Sequence, residues 1–124
     1  MAAIACVRNL SINSSNEKLI ISANFIPKLL KLIRSSRDGD VKVHAISTIR
    51  NLVGSGRPIG NEEEIVQIVL KGLKEEGLRG VQSKSYALEE FTGCLAVMAL
   101  NGYYNLLLIF FYFCIFFNFH LKSI

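Results

Sequence analysis

The sequence HAISTIRNL at residues 44–52 decides the fold, because part of it occurs twice in the chain. Residues 5–10 read ACVRNL and residues 47–52 read STIRNL, so arginine, asparagine and leucine coincide at a shift of about 42 residues. A weaker copy, CLAVMAL, follows at residues 94–100. A period of about 40–47 residues is typical of solenoids that have two or three helices per unit. The repeat therefore predicts stacked helical units and not a coiled coil or a propeller.

Local signals predict two helices ahead of the second copy of the motif. Asn16 is predicted to cap a short first helix that ends near Ala23, since asparagine is a good N-cap. Asn24 fits the left-handed conformation that closes helices. Pro27 fits the first turn of a second helix that runs to about Arg34. That helix is expected to bury most of its apolar residues, namely Leu29, Leu30, Leu32 and Ile33.

The motif itself is predicted to lie on a third and longer helix, from Val41 to Val53. Asp40 is predicted to cap this helix after a turn, and Gly54, Gly56 and Pro58 are predicted to end it. Its buried face follows the helical period and consists of Val41, Ala45, Ile49 and Leu52. Together with the short first helix and the longer second helix, this long third helix predicts a three-helix unit.

The next unit is predicted to be shorter. Residues 57–61 leave no room for a separate first helix, which is therefore collapsed to a turn or lost. Asn61 is predicted to cap a helix that begins with residues 62–64, three carboxylates at the positive end of the helix dipole. A loop bounded by Gly77 and Gly80 would then lead to a long helix at residues 82–101. The buried side of the first of these helices is predicted to be Ile65, Val66, Ile68, Val69 and Leu73.

The composition argues against a metal site, a disulfide framework and an active site. Cys6, Cys94 and Cys114 are far apart and odd in number, and no C-x-x-C pair is present. His44 and His120 have no metal-ligand spacing to an acidic residue. The net charge of +4 is scattered, without a run of five basic residues, so binding to nucleic acid is not indicated. We expect no enzyme activity and no cofactor.

The tail at residues 102–124 is a separate, hydrophobic segment. Residues 106–117 are twelve unbroken apolar residues, whereas a membrane-spanning helix needs about 20. Three interpretations stay open: a marginal membrane anchor, a hydrophobic final helix packed on the last unit, or an artefact in which an intron has been translated. The third is suggested because nearly every residue of 103–124 can be encoded by A/T-rich codons, as in a translated intron.

The quoted motifs resemble those of armadillo repeats. Ile26-Pro27-x-Leu29-Leu30 resembles the second helix of such a repeat, residues 44–52 resemble the third, and residues 5–12 resemble the third helix of the repeat before it. Within the family, the similarity is greatest to the fungal vacuolar armadillo adaptors, through residues 5–12, 16–21 and 44–52. This resemblance implies an all-α fold, the right-handed armadillo superhelix (α-solenoid), with about two and a half repeats.

The resemblance also predicts how the chain is divided. Residues 1–13 would end one repeat, residues 14–56 would form a full repeat, and residues 57–101 would form a degenerate one. The likeness to the vacuolar adaptors is clear to Leu52, looser to Leu100, and is expected to stop at Asn101.

The resemblance implies a groove lined by third helices that holds extended segments of other proteins. On the third helix, Ser47, Arg50 and Asn51 share a face away from the core, and Arg8 and Asn9 occupy equivalent places one unit earlier. An amide can pair with a peptide backbone through its donor and its acceptor, and the arginines attract acidic partners. The alternative is that both asparagines only brace neighbouring helices.

A difference from importin-α argues against one specialised binding function. The tryptophan that precedes the asparagine in importin-α is replaced by Ala5 and Ser47, which argues against a receptor for nuclear-localisation signals. The resemblance implies a protein-binding scaffold or adaptor that does not bind nucleic acid. It also implies a location in the cytoplasm, at the cytosolic face of the vacuolar membrane. Membrane association would be indirect or through the tail, and the alternative function is that of a tail-anchored membrane protein with a short cytosolic helical domain.

Overall fold

A computed structural model describes residues 2–56, 59–78 and 86–100. These residues form helices and connecting turns, without a strand among them, which confirms the all-α prediction. A short 3₁₀ turn, Ser14–Asn16, precedes the second helix. The α-helices are α1 (Ala2–Ser11), α2 (Glu17–Ser22), α3 (Phe25–Ser35), α4 (Gly39–Val53), α5 (Glu62–Leu78) and α6 (Tyr86–Leu100).

The helices pack in two layers. The three helices that carry the repeated motif lie side by side in the order α1, α4, α6, and each contacts the next. The second layer contains α3, which packs on α4, and α5, which packs on α6 and also contacts α3. The short helix α2 packs against α3. We call the layer of α1, α4 and α6 the motif layer, and its position decides which residues can form a binding face.

Helix α4 is buried along most of its length, because it lies between α1 and α6 and also covers α3. Its buried residues extend around the helix and include polar ones, whereas the sequence pattern predicted one apolar stripe. Thr48 is fully buried and donates its hydroxyl to the His44 carbonyl at 2.7 Å, which satisfies its side chain within the helix. The buried residues of α4 are Ala45, Ile46, Ser47, Thr48, Ile49, Leu52 and Val53.

The corner between α2 and α3 matches its prediction. Asn24 adopts the left-handed conformation with a φ of 60°, which an asparagine tolerates better than most residues. Pro27 lies in the first turn of α3, where its missing N–H is not needed. Leu29, Leu30 and Ile33 are buried as predicted, but Leu32 is only half-buried.

The predicted cap of α4 is wrong, and the predicted cap of α2 is right in position only. Helix α4 begins at Gly39, and Asp38 caps it by accepting hydrogen bonds from the amides of Asp40 at 2.9 Å and Val41 at 3.4 Å. Asp40 therefore lies inside the first turn. Asn16 precedes α2, but its side chain donates to the Leu10 carbonyl at 3.0 Å instead of capping that helix.

The shorter unit begins without a helix at residues 59–61. Ile59 is buried there, and the carboxylate of Glu62 accepts the amides of Ile59 and Gly60 at 2.9 and 3.0 Å. Helix α5 starts at Glu62 as predicted, while the Asn61 side chain donates to Glu64 at 3.1 Å. The α5 residues predicted to be buried are buried, except Leu73, which is half-buried.

Helix α5 is longer than predicted. Gly77 was predicted to begin a loop but lies within α5, because one glycine lowers helix propensity without ending a helix that is packed along its side. The predictions for Pro58, Gly80, the start of the last helix and the tail at 102–124 lie outside the described residues. Among the described helices, none has the length and apolar character needed to span a membrane.

Gly72 determines how closely α5 approaches α6. An ideal Cβ built on Gly72 would lie 2.6 Å from Cε1 of the buried Phe91 ring, closer than carbon atoms pack. A glycine at this position therefore allows the aromatic ring to lie directly against the α5 backbone.

We expect Gly72→Ala to lower the free energy of unfolding by about 1–3 kcal/mol, because the added methyl group overlaps Phe91 and forces the helices apart. Gly39→Ala is the matched control, since its Cβ meets nothing within 4 Å and alanine favours the helix by up to about 1 kcal/mol. Urea denaturation followed by circular dichroism measures both. Equal stability of the two variants would contradict the close packing of α5 on α6.

Candidate functional site

Polar side chains join α1 to α4 within the motif layer. The Arg8 Nε donates to the Ser47 Oγ at 3.1 Å. The Asn51 Nδ2 donates to the Ser11 Oγ at 3.0 Å, and that hydroxyl donates to the Arg8 carbonyl at 2.6 Å. Ser47 and Ser11 are both buried, with 5% of each exposed. Since buried hydroxyls need partners, these bonds fix the two helices relative to each other.

The same kind of contact joins α4 to α6. Arg50, which occupies the place of Arg8 one unit later, forms an ion pair with Glu90 at 3.3 Å between Nη1 and Oε2. Gly93 makes room for this arrangement, because an ideal Cβ there would lie 2.7 Å from the Arg50 Cζ. The guanidinium therefore lies across the backbone of α6. We call the set of side chains that joins α1, α4 and α6 the polar ladder: Arg8, Ser11, Ser47, Arg50, Asn51 and Glu90.

The five residues predicted to bind partners differ in their access to solvent. Asn9 is exposed on α1, and no side-chain hydrogen bond of Asn9 occurs within the described part of the chain. Arg8, Arg50 and Asn51 are half-buried and engaged in the polar ladder. Ser47 is buried under Arg8, which limits it to holding that side chain in place. The structure thus brings these residues to one layer, where Asn9 is exposed, Ser47 is buried and the other three are half-buried.

Asn51 can brace α1 and bind a partner at the same time. Its amide carries two N–H donors and one oxygen acceptor, and the contact with Ser11 uses one donor. One donor and the acceptor remain, and a peptide unit offers the complementary pair. The bracing interpretation and the binding interpretation are therefore compatible at this residue.

Sequence reasoning missed Ser11 and Glu90, the residues that hold Asn51 and Arg50. Glu90 follows Arg50 by 40 residues, Asn51 follows Ser11 by 40, and Ser47 follows Arg8 by 39. Each separation is close to one repeat. A search for polar pairs separated by one repeat would have found them, whereas periodicity within a single helix could not.

Cys94 lies beside the Arg50–Glu90 pair but is not a reactive group. Burial raises the pKa of the Cys94 thiol to about 12, and this outweighs the lowering of its pKa by Arg50. The thiolate is the nucleophilic form of cysteine, so this thiol stays protonated and inert at neutral pH. Within residues 2–56, 59–78 and 86–100, no three acidic, histidine or cysteine side chains are grouped so as to hold a metal ion.

Comparison with known proteins identifies the repeated unit. The family model described as "Armadillo/beta-catenin-like repeat" matches residues 13–54. The chain belongs to the armadillo-repeat family. The predicted family and the predicted armadillo solenoid are thereby confirmed, while the boundaries given to the individual repeats stay predictions. No solved structure gives a significant match to the chain.

Curated relatives of this armadillo chain carry the name vacuolar protein 8. The protein from Yarrowia lipolytica is 41% identical over 105 residues, which are 82% of this chain and 17% of that relative. Those from Schizosaccharomyces pombe and Saccharomyces cerevisiae are 35% and 34% identical, over 92% and 81% of this chain and 20% and 17% of the relatives. The chain thus spans about a fifth of the length of the relatives it matches.

One match extends beyond the predicted limit of the likeness. The alignment with the Schizosaccharomyces pombe relative covers 92% of the chain, which is more than residues 1–101 contain. The prediction that the resemblance stops at Asn101 is therefore wrong for this relative. Part of the segment 102–124 aligns with an armadillo protein.

A double-mutant cycle on Arg50→Ala and Glu90→Gln is expected to give a coupling energy of about 1 kcal/mol in urea denaturation, because the pair is partly shielded from water. The exposed pair Lys71–Glu75, at 4.0 Å, is the control and should give about 0.3 kcal/mol. A coupling for Arg50–Glu90 no larger than that of the control would show that the pair does not join the helices.

Proposed function

We propose that this armadillo chain is a protein-binding scaffold that holds extended segments of other proteins along the motif layer. The observation that supports the proposal best is the line of amides on adjacent helices: Asn9 is exposed on α1, and Asn51 on α4 keeps unused hydrogen-bonding capacity. Arg8 and Arg50 flank these amides, and Ser47 supports Arg8 from below. Each amide would pair with a peptide unit of the partner, so the binding would depend little on the partner's side chains.

The charge of this face favours amide recognition over recognition of acidic side chains. Arg50 is already neutralised by Glu90 within the chain, and Arg8 gives its Nε to Ser47. An acidic partner residue would have to compete with Glu90 for the guanidinium. We therefore assign the principal partner contacts to the two asparagines and a supporting attraction to Arg8.

Binding is tested with peptides selected from a phage-displayed library against the chain, followed by fluorescence anisotropy. We expect Asn9→Ala and Asn51→Ala each to weaken binding about fivefold to tenfold, since each removes a hydrogen bond worth about 1 kcal/mol. Ser11→Ala is the matched control for Asn51, because it breaks the brace and leaves the amide in place.

The outcomes separate binding from bracing. If Asn51 binds the partner, Asn51→Ala loses affinity while Ser11→Ala keeps it, although both variants lose the brace and some stability. If Asn51 only braces α1, the two variants behave alike in stability and neither changes affinity. Unchanged affinity in both Asn9→Ala and Asn51→Ala would overturn the proposed amide line.

The relatives named vacuolar protein 8 support a finer proposal. We place the chain in the cytoplasm at the vacuolar membrane, as part of an adaptor that links the vacuole to partner proteins in nucleus–vacuole junctions, vacuole inheritance or cytoplasm-to-vacuole targeting. A fluorescently tagged chain in fungal cells is expected to overlap a vacuolar-membrane dye. An Asn9→Ala, Asn51→Ala chain should lose that overlap if partners recruit it, and an evenly cytosolic signal of the unaltered chain would contradict the placement.

A further inference from the structure

We infer that a cavity between the two helix layers binds an acidic protein segment that inserts one apolar side chain. The cavity has a volume of about 170 Å³ and lies where α3 and α5 meet α4 and α6. Its apolar lining comes from Ile33, Ile68 and Phe91, all of them buried residues. Gly72 also lines it and, as described above, allows the Phe91 ring to reach this position.

The rim of the cavity is predominantly basic. Arg34, Lys42 and Lys71 line it, whereas Glu75 is the only carboxylate among the lining residues. Arg34 is paired with Glu64, and Lys71 approaches Glu75 only to 4.0 Å, with both side chains more than half exposed. Lys42 forms no ion pair with a carboxylate in the described part of the chain and is half-buried. The rim therefore carries the unpaired charge of Lys42 and the weakly paired charge of Lys71.

The size and charge of the cavity point to one kind of occupant. Pockets for small molecules and cofactors typically measure about 300–1,000 Å³, so this cavity is too small for most of them but large enough for one side chain. A buried apolar anchor surrounded by complementary charges is a common arrangement at protein interfaces. A leucine or phenylalanine flanked by Asp and Glu on a partner segment satisfies both the lining and the rim.

This surface is independent of the amide line on the motif layer. None of Arg8, Asn9, Ser47, Arg50 and Asn51 lines the cavity. A partner bound there would contact α3, α5 and the Lys42 end of α4, and none of the five groove residues. The scaffold would then hold two segments at once, one along the proposed groove and one at the cavity.

The probe for this site is a short fluorescein-labelled peptide with a central phenylalanine flanked by Glu and Asp, measured with the full chain by anisotropy at low salt. Replacing both Lys42 and Lys71 by Gln is expected to weaken binding about tenfold, because steering and attraction by two charges are lost. Lys18→Gln with Lys31→Gln removes the same charge from exposed positions outside the cavity and should change affinity less than about twofold. Thermal melts establish that both double variants are folded.

Three results would support the inference together: loss of binding only in the cavity variant, weaker binding of the peptide with alanine at its centre, and amide chemical-shift changes around Ile33 and Ile68. Equal loss in both lysine variants would overturn it, since attraction would then be non-specific. Equal binding of the alanine peptide, competition by inorganic phosphate alone, or shift changes confined to Asn9 and Asn51 would overturn it as well. The asparagine variants should bind this probe normally, so failure here and failure of the proposed groove are distinguishable.

Discussion

The burial of α4 between its two neighbours is the constraint on which the rest of the structure depends. A helix that contacts α1, α6 and α3 together has little surface left for water, so most of its polar side chains find partners inside the protein. The buried Nδ1 of His44 is the exception, with no hydrogen-bond partner in the described part of the chain. Thr48 finds its partner within its own helix, and Ser47 finds its partner in Arg8. Arg50 and Asn51, on the edges of the buried surface, reach the neighbouring helices. The polar ladder follows from this burial and at the same time places amides and guanidinium groups on one layer.

A second polar contact joins the beginning of the unit formed by α2, α3 and α4 to its end. Glu17, at the start of α2, is 4% exposed and accepts a hydrogen bond of 2.6 Å from the Ser55 hydroxyl, just after the end of α4. A buried carboxylate is costly unless it is hydrogen-bonded, so this bond fixes the position of the short first helix. The ladder joins successive units, whereas the contact of Glu17 with Ser55 joins the two ends of one unit.

The sequence predicted those features that depend on local or repeated patterns. The recurring arginine, asparagine and leucine predicted the long helix α4, and Asn24 and Pro27 predicted the corner before α3. Caps were less predictable, because two aspartates stand beside the start of α4 and only the extended backbone of Asp38 decides between them. The partners of Arg50 and Asn51 could not be read from any one helix, since Glu90 and Ser11 lie a full repeat away. The cavity was missed for the same reason: its lining comes from four helices, and its shape depends on the close approach of Phe91 to Gly72.

The turn at residues 59–61 has a consequence for how such chains change during evolution. The polar ladder joins the units through the motif layer, from α1 to α4 and from α4 to α6, and the Arg34–Glu64 ion pair joins α3 to α5. A first helix contributes to its own unit, as Glu17 does through Ser55, but it carries none of these bonds. A unit that begins with the turn at residues 59–61, in which Ile59 is buried, keeps its connection to its neighbour. A change in repeat length that shortens a first helix is therefore tolerated, whereas an insertion within α4 would shift every ladder residue that follows it.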